Sequence, residues 1–195
     1  MKLYVPIILG TARAGRRSEI VAQAVLDFAK NLEIETELLD VKDFRQAYTQ
    51  EKIPAMEIWK EKAERADGFI VVTPEYNHGY PGELKMFLDH IYRECNRKPI
   101  GFVGVSTGPL GGARGIEQLR LVSIEFQMVP ARISVYVGNI LQHLNEQNEL
   151  DNLEELHKKF VLLFEEVIWY ARVLREERIE WNKTRTPKIP STTHL

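Results

Sequence analysis

The chain has 195 residues, 44% hydrophobic and 28% charged, which suits one compact α/β-sized domain. Its 26 Lys and Arg against 28 Asp and Glu leave a net charge of −2, too small a field to gather polyanions or to hold an anionic surface, so neither nucleic acid nor membrane is an expected partner. Apolar runs such as 160–164 span a handful of residues against the roughly 20 that a membrane-crossing helix needs.

In chain order, the first residues read directly into strand-like Leu3-Tyr4-Val5-Pro6-Ile7-Ile8-Leu9, with no cationic lead or small-residue cleavage site, so a cytoplasmic address is expected. Short β-branched runs then alternate with longer amphipathic stretches, the pattern of βαβ units around a parallel sheet. Strands are predicted at 3–9, 35–39, 68–73, 100–106 and 132–137, and helices at 18–31, 56–66, 82–93, 112–126 and 151–179. In the first helix Ile20, Val21, Ala24, Val25 and Phe28 form the apolar stripe, with Gln23, Asp27 and Lys30 on the wet side. The last helix opens with Asp151 and Glu154 at capping-box spacing and carries Leu153, Leu156, Phe160, Phe164, Val167, Ala171 and Leu174 on one face. Val161, Leu163, Ile168 and Trp169 widen that face beyond what one sheet contact needs, which suits either a subunit contact or ordinary core. Past Trp181 the composition turns to Lys, Thr, Arg, Pro and Ser, so a mobile tail at 183–195 is expected after a single domain at 1–182.

In an open parallel sheet ligands bind beyond the carboxyl ends of the strands, so the loops there carry the search. The first, 10–18, combines turn-forming glycines, the hydroxyls of Thr11 and Ser18, a helix start, and Arg13, Arg16 and Arg17. That set suits a phosphate; the alternative is a solvated turn in which Ser18 is only an N-cap. The chain has neither a G-x-x-x-x-G-K-[ST] nor a G-x-G-x-x-G motif, which favours a monophosphate such as that of FMN over ATP or a dinucleotide. In the second loop, 73–82, Pro74 and Asn77 suit the polar edge of a planar ring and Tyr76 its face. The alternative there is a Pro- and Gly-punctuated connection, with Pro81 near the next helix start. Ser106 lies outside a G-x-S-x-G elbow, the lone Cys95 excludes an internal disulfide framework, and His90, His143 and His157 stand apart from other metal ligands.

Pro74-Glu75-Tyr76-Asn77, followed by Pro81-Gly82-x-Leu84-Lys85-x-x-Leu88-Asp89, resembles the NADPH-dependent FMN reductase family. Gly10-Thr11-x-Arg13 is similar to the family's phosphate loop, and Ser106-x-Gly108 with Gly111-Gly112-x-Arg114 is similar to its third segment. The resemblance covers residues 3–137. It implies a flavodoxin-like three-layer sandwich with a five-stranded parallel sheet of order 2-1-3-4-5 and helices on both faces, bound FMN, and NADPH or NADH as co-substrate. Carried onto this sequence, it assigns the FMN phosphate to Thr11, Arg13 and Ser18 with Arg16 as an extra contact, and the ribityl chain and ring to Pro74, Glu75, Tyr76 and Asn77. Ser106, Thr107 and Gly108 then approach the other ring edge through backbone groups, since Gly108 permits close contact and positive φ. The longer Arg13-x-Gly15-Arg16-x-Ser18 spacing departs from many members and leaves open whether Ser18 or a backbone N–H meets the phosphate.

The resemblance implies a ping-pong NAD(P)H oxidoreductase with no catalytic side chain, passing hydride through FMN to a small acceptor: a quinone, an azo compound, free flavin or a metal oxyanion. It also implies a homodimer or homotetramer, and for Arg114 a contact either with nicotinamide dinucleotide phosphates or with a partner subunit. The alternatives are a non-enzymatic flavodoxin-like electron carrier, which the near-neutral charge disfavours, and a flavin-nucleotide-binding regulatory protein.

Overall fold

A computed structural model describes residues 2–151 and 153–184. Pro6, which has no N–H to give a ladder, divides the first predicted strand into β1 (Leu3–Tyr4) and β2 (Ile7–Leu9). Their neighbours are β3 (Ile34–Glu35) and β4 (Leu38–Asp40), and both pairs are parallel. Val5 N donates to Glu35 O at 2.9 Å and Ile7 N to Glu37 O at 2.8 Å, so hydrogen bonding continues across the break. With β5 (Phe69–Pro74), β6 (Pro99–Val105) and β7 (Val129–Val137) the main sheet runs β4-β2-β5-β6-β7, parallel throughout. This is the expected flavodoxin-like order 2-1-3-4-5.

The crossovers hold α1 (Ser18–Ala29), α2 (Pro54–Arg65), α3 (Gly82–Leu88) and α4 (Ala113–Glu125), and the chain then enters α5 (Leu153–Thr184). Side chains alternate across the sheet and feed two cores. Ile7, Leu9, Ile70, Val72 and Val103 meet Val21 and Val25 of α1 and Phe160, Phe164 and Val167 of α5. Ile8, Phe69, Val71 and Phe102 meet Trp59 of α2, Phe87 of α3 and Leu119 of α4 on the opposite face. Each large apolar side chain so buried contributes roughly 1.5–3 kcal/mol. Trp59 stacks on Phe87 with centroids 4.2 Å apart and donates from Nε1 to its carbonyl at 3.0 Å. A Cβ on Gly101 would come within 2.9 Å of Leu163, Ile70 and Val167, so α5 rests directly on β6.

Several boundaries differ from the sequence reading. α3 stops at Leu88 rather than 93, because the chain tightens: His90 N donates to Phe87 O and Ile91 N to Leu88 O, three residues back instead of four. This turns Ile91 and Cys95 into the core. β7 starts at Val129, with a register irregularity opposite Ile100 and Phe102. On α1 the buried line is Val21, Ala22, Val25 and Ala29, while Phe28 lies half-buried against Phe160 and Phe164, both at 5.6 Å. On α5, Leu163 belongs to the core, whereas Leu153, Val161, Leu162 and Trp169 are exposed. α5 runs through Thr184, past the proposed boundary at 182; residue 152, next to the expected cap Asp151, and residues 185–195, most of the expected tail, lie outside the described residues.

Candidate active site

At the carboxyl end of β2 the chain leaves the sheet at Gly10, whose N–H donates to Val72 O at 2.8 Å. The sharp return comes at Gly15, with φ of +67°. Arg16 ties the loop down. Its guanidinium donates to Thr11 O, to both carboxylate oxygens of Asp40 at the end of β4, and to Glu19. Burial pushes the Asp40 carboxyl up, but Arg16 and Lys42 outweigh it and hold the group below its ordinary value. The charge of Arg16 is therefore spent inside the protein, and this member of the predicted phosphate set shapes the loop. Arg13 is exposed, with its guanidinium carbon 5.8 Å from the Tyr76 ring centroid, and has no ion-pair partner among the described residues. Arg17 reaches Asn148 at the surface.

Ser18 is not an N-cap. It is the first residue of α1, Arg17 holds the cap position, and the Arg17 side chain makes no capping hydrogen bond. The Ser18 hydroxyl is buried, and its oxygen has no hydrogen-bond partner among the described residues. Thr11 is fully buried and accepts from Arg13 N at 3.3 Å. Its hydroxyl also lies 3.1 Å from Tyr76 Oη, joining the first loop to the second. An orphaned buried hydroxyl, an uncapped helix start and an unpaired arginine together fit a phosphate monoester.

The second loop is a hairpin turn. Tyr76 and Gly79 exchange N–H···O bonds of 2.8 and 3.0 Å, and Asn77 and His78 between them have φ of 50° and 67°. Two successive left-handed residues define the type I′ geometry. Glu75 sends its buried carboxylate to Arg114 at the start of α4, which donates from its backbone N and its guanidinium. Arg114 Nη1 lies 2.7 Å from His78 Nε2. A guanidinium can only donate, so Nε2 is the acceptor and a neutral His78 carries its proton on Nδ1. Gln118 fixes the His78 carbonyl at 2.8 Å.

The third loop is stapled to the chain after β7. Ser106 N donates to Val137 O, Ile140 N to Ser106 O, and Asn139 N to Gly108 O, while the Ser106 hydroxyl donates to Gly108 O at 2.7 Å. Positive φ falls at Gly111 (59°) and Gly112 (81°), so the freedom that Gly108 offers is not used there. Gly111 instead packs under β7, where a Cβ would come within 2.8 Å of Tyr136. Gly108 faces open space, with no atom within 4 Å of a Cβ.

Between the second and third loops lies a cleft of about 510 Å³, lined by Glu75, Asn77, Ser106, Thr107 and Gly108 from the predicted set and also by His78, Pro109, Leu110 and Arg114. Two participants escape sequence reasoning. Asp40 carries no local motif, and Glu83, at the variable position of the Pro81-Gly82-x-Leu84 segment, reaches back to the first loop: its Oε1 accepts from Ala12 N and from the Thr11 hydroxyl, each at 2.9 Å.

A parallel sheet of this order, with a phosphate-shaped loop after its first strand and a ring-sized cleft beside it, defines a flavodoxin-like mononucleotide-binding protein. The sequence matches the family model for NADPH-dependent FMN reductase over residues 3–142. It is 31% identical over 183 residues to an NAD(P)H-dependent FMN reductase of Schizosaccharomyces pombe, covering 82% of this chain and 89% of the relative. It is 30% identical over 151 residues to the quinone reductase of Escherichia coli, covering 73% and 80%. In fold it is similar to the flavoenzyme NAD(P)H:(acceptor) oxidoreductase FerB of Paracoccus denitrificans, with TM-score 0.74, 19% identity and coverage of 87% and 98%. The chain belongs to the NADPH-dependent FMN reductase family. It is an oxidoreductase with FMN as cofactor and NAD(P)H as co-substrate.

Proposed function

We propose that this enzyme passes hydride from NAD(P)H through FMN to a small acceptor, of the quinone, azo, free flavin or metal-oxyanion class, with one open cleft serving reductant and acceptor in turn. The observation that carries the reading is the cleft itself: two backbone-rich loops and Arg114 border it, and beyond Gly108 there is open space. When bound, FMN supplies the redox chemistry, taking hydride from the nicotinamide and giving it to the acceptor.

The chain's own part is to bind and orient. Arg13, Ser18 and the uncapped start of α1 hold the phosphate; Thr11 joins them once its hydroxyl is released by Glu83. Pro74, Glu75, Tyr76 and Asn77 line the ribityl chain and ring, and Ser106, Thr107 and Gly108 present main chain to the other ring edge. Arg114, held by Glu75 and His78, keeps a partly exposed cation at the cleft, suited to a dinucleotide phosphate. A cytoplasmic location, where NAD(P)H is at hand, belongs to this proposal; among the described residues no helix is long and apolar enough to cross a membrane. So does a homodimer or homotetramer built on the exposed side of α5.

The test is anaerobic reduction of the FMN-reconstituted protein by NADPH and by NADH, followed by addition of a quinone, an azo dye, free FMN or chromate. Rapid loss of flavin absorbance and its return with at least one of these acceptors is the expected result. Flavin that stays oxidised with both nucleotides, or that none of the acceptors restores, would overturn the proposal in favour of a carrier or a regulatory protein.

A further inference from the structure

We propose that Glu83 is a resident counter-anion of the phosphate loop, a carboxylate that holds two of the loop's donors in the FMN-free protein and surrenders them to the FMN phosphate. The inference rests on the reading of residues 10–18 as the phosphate site.

The argument is one of hydrogen-bond valence. A threonine hydroxyl has one proton and two acceptor positions. The Thr11 proton goes to Glu83 Oε1 at 2.9 Å, and its oxygen accepts from Arg13 N at 3.3 Å. With that proton committed, Tyr76 is the donor in the 3.1 Å contact between the two hydroxyls. All three positions are filled, so Thr11 cannot donate to a phosphate while Glu83 stays. The Ala12 N–H, a backbone donor of the same loop, also ends on Glu83 Oε1.

Glu83 is ionised in this position. Burial pushes its carboxyl up, but the N–H groups of Ala12 and of Glu83 itself, the Thr11 hydroxyl and the nearby charge of Arg45 bring it below its ordinary value. A helix-capping role would need only its own N–H, whereas Glu83 reaches a loop 71 and 72 residues earlier in the chain. Arg16, the buried cation of the loop, is already neutralised by Asp40. The donors thus divide into a set occupied by a carboxylate, Thr11 and Ala12, and a set left for the ligand, Ser18 and Arg13. FMN binding becomes an exchange of anions, in which the loop stays shaped while empty and the phosphate is opposed by a like charge until Glu83 withdraws.

The test compares the wild type with Glu83→Gln, which keeps an acceptor oxygen for Ala12 and Thr11 and removes only the charge. FMN and riboflavin are titrated into each flavin-free protein by fluorescence quenching, at low and high salt. The expected result is FMN binding about tenfold tighter in the variant, a difference that shrinks with salt, and riboflavin binding unchanged. Equal or weaker FMN binding by the variant would overturn the proposal, and so would an equal tightening of riboflavin, which has no phosphate. Failure of both proteins to bind FMN, with riboflavin still bound, would overturn the phosphate-loop reading and this inference together. Glu83→Ala, which removes the carboxylate and its oxygens, is the second variant; if it also binds FMN no more tightly than the wild type, the exchange does not occur.

Discussion

The guanidinium of Arg16 meets both carboxylate oxygens of Asp40, so a buried bidentate pair ties the loop after β2 to the end of the neighbouring strand β4. The arginine is buried deeper than the aspartate, with side-chain exposures of 3% and 11%, and this sets which substitution costs more.

Asp40→Asn leaves the Arg16 charge buried with only Thr11 O and Glu19 for company and is expected to lower stability by about 3 kcal/mol near pH 7. The carboxyl is held below its unfolded value of about 3.9, so its contribution is fully present above that pH and is lost as pH falls through the lower folded value. Urea unfolding of both proteins should show a constant gap near neutrality that closes below about pH 4. A gap independent of pH would mean that the charge is not the source.

Arg13→Ala is expected to weaken FMN binding by about 1–3 kcal/mol and to leave riboflavin binding and stability unchanged, since Arg13 pairs with no acid among the described residues. Arg16→Ala should do the reverse, costing stability first. Parallel titrations with the two flavins and a melting curve for each variant separate the outcomes; loss of riboflavin binding in Arg13→Ala would show that the residue acts on the ring instead.

Gly108→Ala places its Cβ where no described atom lies within 4 Å, so the change in folding free energy should stay within about 0.5 kcal/mol. Flavin affinity, however, should fall sharply, because the same space belongs to the cleft. Gly104→Ala drives a methyl into the Gly111 carbonyl and should cost at least about 2 kcal/mol. Equal stabilities for the two variants would contradict this map of the third loop.

Trp169 is 60% exposed on α5, beside Val161 and a groove against Phe28 and Leu32 of the first crossover. If this face joins copies of the chain, Trp169→Glu should shift the mass seen by light scattering to that of a monomer without loss of secondary structure. A wild-type protein that is already monomeric at working concentration would remove the proposal.

The alternation of strands and helices was legible because each strand is short, apolar and punctuated, and the three loops were legible because their glycines, prolines and hydroxyls cluster at strand ends. The end of α3 was not. Leu84, Phe87, Leu88, Ile91 and Cys95 fall at helical spacing and all are buried, so the apolar period outlasts the helix that produced it. The three arginines of the first loop were indistinguishable by type, and only the arrival of Asp40 on β4 shows which one is spent. Glu83 was hidden for the same reason, since its partners are remote in sequence. Which of Gly108, Gly111 and Gly112 adopts positive φ is not legible in the sequence, because the three look alike until the packing under Tyr136 is known.

Main chain meets main chain at the base of the third loop: Gly104 against the Gly111 carbonyl, and Gly138 against the Pro109 carbonyl. Any larger residue at Gly104 or Gly138 collides with backbone, which has no rotamer to escape into. Change in the lining of the cleft is thereby channelled to the rim. Of the residues that line the cleft, Leu110 has an exposed side chain and lies outside the Tyr76–Gly79 turn, so it can change while the base stays untouched.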